Sequence, residues 1–413
     1  MSRYIAWLNA HCSEGLAAYL AVMAFFLPLS PAVTNCLLVP LPFLLLWVWR
    51  RRQLAQLTER RAAGLFGALA LVGALSLFSS PRFYESTYNY VYLMGRYALI
   101  YFSILLGIQN RRQAYCVVGA VLASSLLVSC YGIYQYFHGA AMLTSEWVDV
   151  EQFPTLKTRA FSTLQNPNLL AAFLLMIMSL AGGIFFSTQK LRLKLPLLGI
   201  GAVALLCLVF TYSRGAWVSL VIITVICGFL FSRRILWLLG PALLVIGFLA
   251  REEVINRVAS IFNPTDTSAV LRMALWESTW GMISDHPVTG IGWGAYQFVY
   301  PQYDFFIQNP DTVIFHAHNM YLNIAAELGL PGITLFLLIV MTHMFIGFKA
   351  LRCASAEGRG VVMGLIAIII GVLVNGMTDY AMFNIEISMI FWLFAALLCV
   401  FSRITLNEKQ ANG

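Results

Sequence analysis

The residues of this chain best suited to chemistry gather around two histidines one position apart, His316 and His318, followed by Asn319, Glu327 and Gly329. An imidazole titrates near pH ~6.5, so either ring can act as a general base close to neutrality. Two other readings stand beside that one: loop histidines bonded to backbone, and zinc ligands. No third ligand stands at a recognisable spacing, so no metal is expected. Glu327 falls about two and a half helical turns beyond His318, nearly on the opposite helix face. It is a poor direct partner for His318 unless Gly329 and Pro331 bend the helix, yet a carboxyl buried near a bilayer asks for some partner.

A second set is made of arginines without acidic neighbours in sequence. Arg214 lies in Thr211-Tyr-Ser-Arg214-Gly-Ala-Trp217, at a tight connection between two apolar runs. Arg159 precedes Phe161-Ser-Thr-Leu-Gln-Asn166-Pro-Asn168, Arg272 stands one turn before Trp276, and Arg96 falls well inside an apolar segment. A planar guanidinium fork matches phosphate oxygens bidentately, so several of them at one membrane face suit a diphosphate. For Arg82, Arg251 and Arg257, snorkelling or pairing with an outer acid is the better reading. Gly290-Ile-Gly-Trp-Gly294 follows a helix rather than a strand, so its glycines serve a sharp turn and not a dinucleotide. Asp379 and Asn384 bracket a short turn and read as solvated turn residues.

The elements that hold these residues are helices in a membrane. Of the 413 residues, 60% are hydrophobic and 11% charged, which excludes an ordinary soluble domain, and the apolar runs are continuous and long enough to cross ~30 Å as helices. The fold class expected is an all-α membrane protein with about twelve transmembrane helices. The spans fall near 15–31, 32–49, 62–80, 89–108, 114–137, 168–187, 195–212, 215–232, 235–250, 320–348, 360–378 and 385–402. Basic clusters such as Arg50–Arg52, Arg111 and Arg112, Arg233 and Arg234, and Lys349 with Arg352 follow alternate spans, which places both termini in the cytoplasm. The net charge of +8 then reports orientation, and no basic domain for nucleic acid stands apart. The first helix is expected to be retained, since no small-residue cleavage site precedes the second span. None of the eight cysteines falls in a long outer loop, so no disulfide framework is indicated.

This divides the chain into spans one to nine over 1–250, a large outer loop over 251–319, and three last spans with a tail over 320–413. A smaller outer loop covers 138–168. Loops this long without a task are uncommon. The larger one contains an expected helix, Ser268 to Ser284, stopped by Asp285-His286-Pro287.

These stretches resemble the O-antigen ligase and O-antigen polymerase superfamily of bacterial polytopic glycosyltransferases. The matching parts are Thr211 to Ala216, Phe161 to Asn168, His286 to Gly294 and His316 to Gly329, together with the layout of spans and large outer loop. The family's His-(ten residues)-Gly motif fits His318 to Gly329. Its Arg-(three residues)-Leu motif fits in part, because Val218 stands where the leucine is expected.

The resemblance implies a GT-C-like fold in the bacterial inner membrane with a periplasmic active site. It implies inverting, metal-independent transfer of a glycan from undecaprenyl diphosphate to a hydroxyl of lipid A-core, with no cofactor. The arginines Arg214, Arg272, Arg159 and Arg96 would bind the diphosphate, His318 would be the base, and His316 its neighbour or orienter. The partners implied are the lipid-linked glycan donor, a lipid A-core or lipid-linked glycan acceptor, and membrane lipid. Two alternatives stay open. A polymerase would join lipid-linked repeat units using the same motifs. A transporter or lipid flippase would place its ionisable groups near the midplane of repeated halves, and no repeat is visible.

Overall fold

The computed structural model describes residues 2–51, 57–138, 159–240, 267–304 and 313–412. Thirteen long helices make up the described residues, with no strand among them. They are α1 (Ser2–Phe26), α2 (Pro31–Leu38), α3 (Leu41–Arg51), α4 (Leu57–Ser76), α5 (Phe83–Gly107), α6 (Arg111–His138) and α7 (Pro167–Ser187). The second half adds α8 (Leu191–Phe210), α9 (Arg214–Leu230), α10 (Thr267–Asp285), α11 (Met320–Leu351), α12 (Ala356–Asn375) and α13 (Ile385–Asn412).

Among the described residues, eight helices are long and apolar enough to cross a membrane. The apolar part of α1, Ser13–Phe26, and α9 are shorter. The second expected span is two helices, α2 and α3, and most of the ninth, 235–250, lies outside the described residues, as do Arg251 and Arg257. Outward-facing side chains such as Phe43, Leu71, Phe229, Met341 and Phe345 are exposed and apolar, which suits contact with lipid rather than water. The chain is an all-α, multi-pass membrane protein.

Helices α12 and α13 form the centre of the bundle: nearly every side chain from Val361 to Ile370 and from Ser388 to Phe401 is buried. Helix α7 lies against α12 at contact distance because Gly183 meets Gly360 and Gly364, where an added Cβ would stand 2.4 Å from the Gly364 nitrogen. Small residues permit this approach, and dispersion is what holds helices together in lipid. At one end of α13, Arg403 donates to the Glu59 carboxylate at 3.1 Å and to the Leu105 and Ile108 carbonyls, so a largely covered cation has one carboxylate and two carbonyls as partners.

The opposite end carries the connections 77–82, 211–213, 286–304 with 313–319, and 376–384, which meet one another. Met320 N–H donates to Gly376 O at 2.8 Å, Ala160 N–H to Phe210 O at 2.9 Å, and Gly292 packs on Ser80. The loop before α11 has a core of its own, in which Leu275, Met282, Tyr296 and Tyr300 meet Ala325 and Ala326 of α11.

The docking of that loop follows from Pro331. Proline has no N–H, so the Glu327 carbonyl one turn earlier loses its helical donor. Gly292 N–H replaces it at 3.1 Å, Ile291 N–H takes the Ala326 carbonyl at 2.8 Å, and Leu330 N–H reaches Pro287 O at 2.8 Å. Gly329 forms the kink with φ of 68°, a conformation that side chains disfavour. A Cβ there would stand 2.3 Å from Val288 O, and one on Gly290 2.3 Å from Glu327 O. The two glycine motifs are therefore halves of one interlock.

Candidate functional site

His316 and His318 lie in the last residues before α11, whose first turn is capped by Asn319 accepting from the Tyr321 and Leu322 N–H groups. Buried Asn323 accepts the Ala317 N–H at 3.0 Å and so fixes the backbone between the two histidines. His318 adopts φ of 49°, a left-handed conformation that costs a non-glycine residue of order 1–3 kcal/mol. The geometry is held by both ring environments. His318 N–H donates to His316 Nδ1 at 3.2 Å, and His318 Nδ1 lies 3.2 Å from Asp379 Oδ1. The two imidazole centroids are 4.3 Å apart, and His316 lies against the Phe383 ring at 4.3 Å with the planes tilted by 33°.

Asp379 corrects the sequence reading: it is no solvated turn residue but a carboxyl only 8% exposed. Burial alone would raise its pKa. The hydrogen bond from His318, the two imidazoles and the Arg272 charge outweigh that and hold it well below the usual carboxylate range. An ionised carboxylate only accepts, so His318 Nδ1 is the donor in this pair and Nε2 is the ring nitrogen left free of Asp379. His316 differs. Burial, then His318 and Arg272, lower its pKa to about 3 against a smaller pull from Asp379, so it stays neutral. Asn384 does act as a turn residue, accepting from Ile387 N–H at the start of α13.

The arginines converge in part. Arg272 on α10 is near enough for its charge to act on both His316 and Asp379. Arg159 donates from Nε to the Thr211 carbonyl at 2.7 Å and from Nη2 to Asn168 Oδ1 at 3.1 Å, which joins it to the turn that presents Arg214. Arg214 opens α9, whose next residue, Gly215, packs on Thr378, the neighbour of Asp379. Tyr212, in that same turn, has φ of 51°, and Ser162 and Gln165 beside Arg159 have φ of 53° and 59°. Arg96 is not brought into this group: its guanidinium lies 3.6 Å over the Tyr92 ring, one turn earlier on its own helix. Arg82 pairs with Glu85 at 3.7 Å, as its reading as a surface cation anticipated.

Among the described residues, His316, His318 and Asp379 place ligand atoms within 4.8 Å of one another, a spacing that can also hold a metal ion. The third ligand missing from the sequence pattern is thus Asp379. As hydrogen-bonded, however, the Nδ1 atoms of both rings are engaged with protein partners.

Glu327 finds its partner in the loop: Gly294 N–H donates to Oε2 at 3.0 Å. Its carboxyl faces a cavity of about 170 Å³ that is also lined by Tyr97, Trp293, Tyr380 and Phe383.

No curated protein matches the chain. Residues 199–337, which run from α8 through Arg214, Arg272, both histidines and the Gly329 kink, match the family model described as O-Antigen ligase. That match falls on the segment that supplies these groups and supports the resemblance to the O-antigen ligase and polymerase superfamily.

Proposed function

We propose that the protein is an O-antigen ligase-type enzyme that moves a glycan from undecaprenyl diphosphate to a hydroxyl of lipid A-core at the periplasmic face of the inner membrane. The observation that carries this reading is the His318–Asp379 pair lying within the electrostatic reach of Arg272. The acceptor hydroxyl oxygen attacks the anomeric carbon from the face opposite the leaving group and inverts it. Its proton passes to His318 Nε2, and the bond to the lipid diphosphate breaks with both electrons leaving on that oxygen. Asp379 keeps His318 in the required tautomer and balances the imidazolium, a role that base catalysis of ~10²- to 10⁴-fold can require.

Arg214 and Arg272, with Arg159 behind the 211–213 turn, bind the diphosphate and stabilise the charge that grows on it. Fixed cations aimed at developing charge are often the largest catalytic contribution. Arg96, stacked on Tyr92, is a weaker candidate for the same anion. The chemistry needs no metal or cofactor, because the lipid diphosphate is itself a good leaving group.

Purified protein in detergent, given lipid-linked glycan and a lipid A-core acceptor, is expected to form product, and His318→Ala to form none while inserting normally. Full turnover by His318→Ala would remove this mechanism. In cells, loss of the protein should leave long lipid-linked glycan made but unattached; loss of chain growth itself would assign polymerase activity instead.

A further inference from the structure

The proposed chemistry leaves Glu327 without a task, although the carboxyl is buried in the first two turns of α11 and lines a cavity rather than an ion pair. The cavity of about 170 Å³ is walled by the aromatic rings of Tyr97, Trp293, Tyr380 and Phe383 and by aliphatic side chains such as Leu93 and Leu328, and Glu327 brings the one carboxyl to it. It lies beside the candidate site, because Phe383 also packs against His316 at 4.3 Å and the His318 ring is the next one along. We propose that this cavity is the subsite for the acceptor sugar, with Glu327 accepting from a sugar hydroxyl and the aromatic faces stacking on the ring.

The inference rests on the glycosyl-transfer reading and adds the acceptor's place within it. Two arguments favour a sugar over a hydrocarbon chain. A hydrocarbon chain would press apolar carbon against the Glu327 carboxyl, which already accepts from the Gly294 and Tyr296 N–H groups, whereas a polyol brings it a further donor. Aromatic faces beside a carboxyl also suit a ring that has C–H groups on its faces and hydroxyls at its edge. The site is built and not incidental. Gly294 N–H holds one Glu327 oxygen at 3.0 Å, and the kink at Gly329 fixes the helix that carries it.

The test uses full-length protein in nanodiscs and reads Trp293 fluorescence, with Trp293→Phe to assign the signal. Octyl β-glucoside, octyl β-galactoside and octyl N-acetyl-β-glucosaminide are the probes, and 1-octanol is the control. At least one glycoside is expected to give a saturable change that octanol does not. Glu327→Gln, which keeps the acceptor for Gly294, is expected to weaken it about ten-fold or more. Ser388→Phe, which fills the cavity, is expected to remove it. Equal effects of octanol and glycosides, no saturable change with any glycoside, or unaltered binding in Glu327→Gln would each overturn the proposal. Because binding is read without turnover, its failure leaves the transfer reading standing, and glycoside binding without transfer would remove the latter alone.

Discussion

The Asp379 carboxylate lies 3.2 Å from His318 Nδ1, 61 residues away in sequence, and so leaves Nε2 as the nitrogen able to take a proton. Replacing the carboxylate by an amide keeps the shape and permits the wrong tautomer. Asp379→Asn is therefore expected to lower the transfer rate by ~10²-fold or more with little change in the acceptor's KM. Initial rates with saturating donor measure this, and a rate within two-fold of wild type would separate Asp379 from the chemistry.

Arg214 and Arg272 are expected to need their forked geometry and not charge alone. Lysine at either position keeps the charge but loses the bidentate contact, so Arg214→Lys and Arg272→Lys should each lose about ten-fold or more in transfer. Arg96→Gln should cost less, since its described contact is the Tyr92 ring. Lysine variants that transfer at full rate, or an Arg96 variant more damaged than either, would redraw the diphosphate site.

Much of this arrangement was legible in the residues, for reasons that can be named. Helices of about twenty apolar residues with basic ends announce themselves, and α10 at Thr267–Asp285 lies within one residue of its expected bounds. Pro331 and Gly329 signalled a break, and the histidines stood next to it. Asp379 was misread because a turn of polar residues looks solvated until the partner strapped across it is known; only the fold brings α11 to the 376–384 turn. The split of the second span into α2 and α3 was hidden for a related reason. Pro40 and Pro42 interrupt a run whose hydropathy stays continuous. That both glycine motifs form one interlock could not be read either, since each has a bland local explanation as a turn.

The interlock itself can be tested. Gly329→Ala places a Cβ 2.3 Å from Val288 O in a backbone conformation with φ of 68°, so the loop must shift or the kink must relax. The expected outcome is a folded-protein yield several-fold below wild type, read by size-exclusion chromatography. Gly199→Ala, where nothing lies within 4 Å of the added carbon, should be recovered normally. Equal yields of the two would show that the kink tolerates a side chain.

Metal dependence separates two uses of the same three residues. If His318 is a base paired with Asp379, dialysis against EDTA should leave transfer unchanged and added zinc should inhibit by occupying His316, His318 and Asp379. Activity lost in EDTA and restored by one divalent ion would make the cluster a metal centre and displace the base assignment.

Acid should weaken the site through His316 and Asp379, and the sign follows from the depressed pKa of each. His316 has its pKa lowered from 6.5 to about 3, so between those values the unfolded chain binds more protons than the folded one. Its contribution is fully present above about pH 6.5 and is lost as the pH falls toward 3. Asp379, also depressed, adds a loss of the same sign below the ordinary carboxylate range. The loss of thermal stability in detergent as the pH falls from 6.5 to 4 should therefore be smaller in His316→Gln, which cannot titrate, than in wild type. A His316→Gln profile as steep as wild type over that range would mean that His316 is not held neutral by its surroundings.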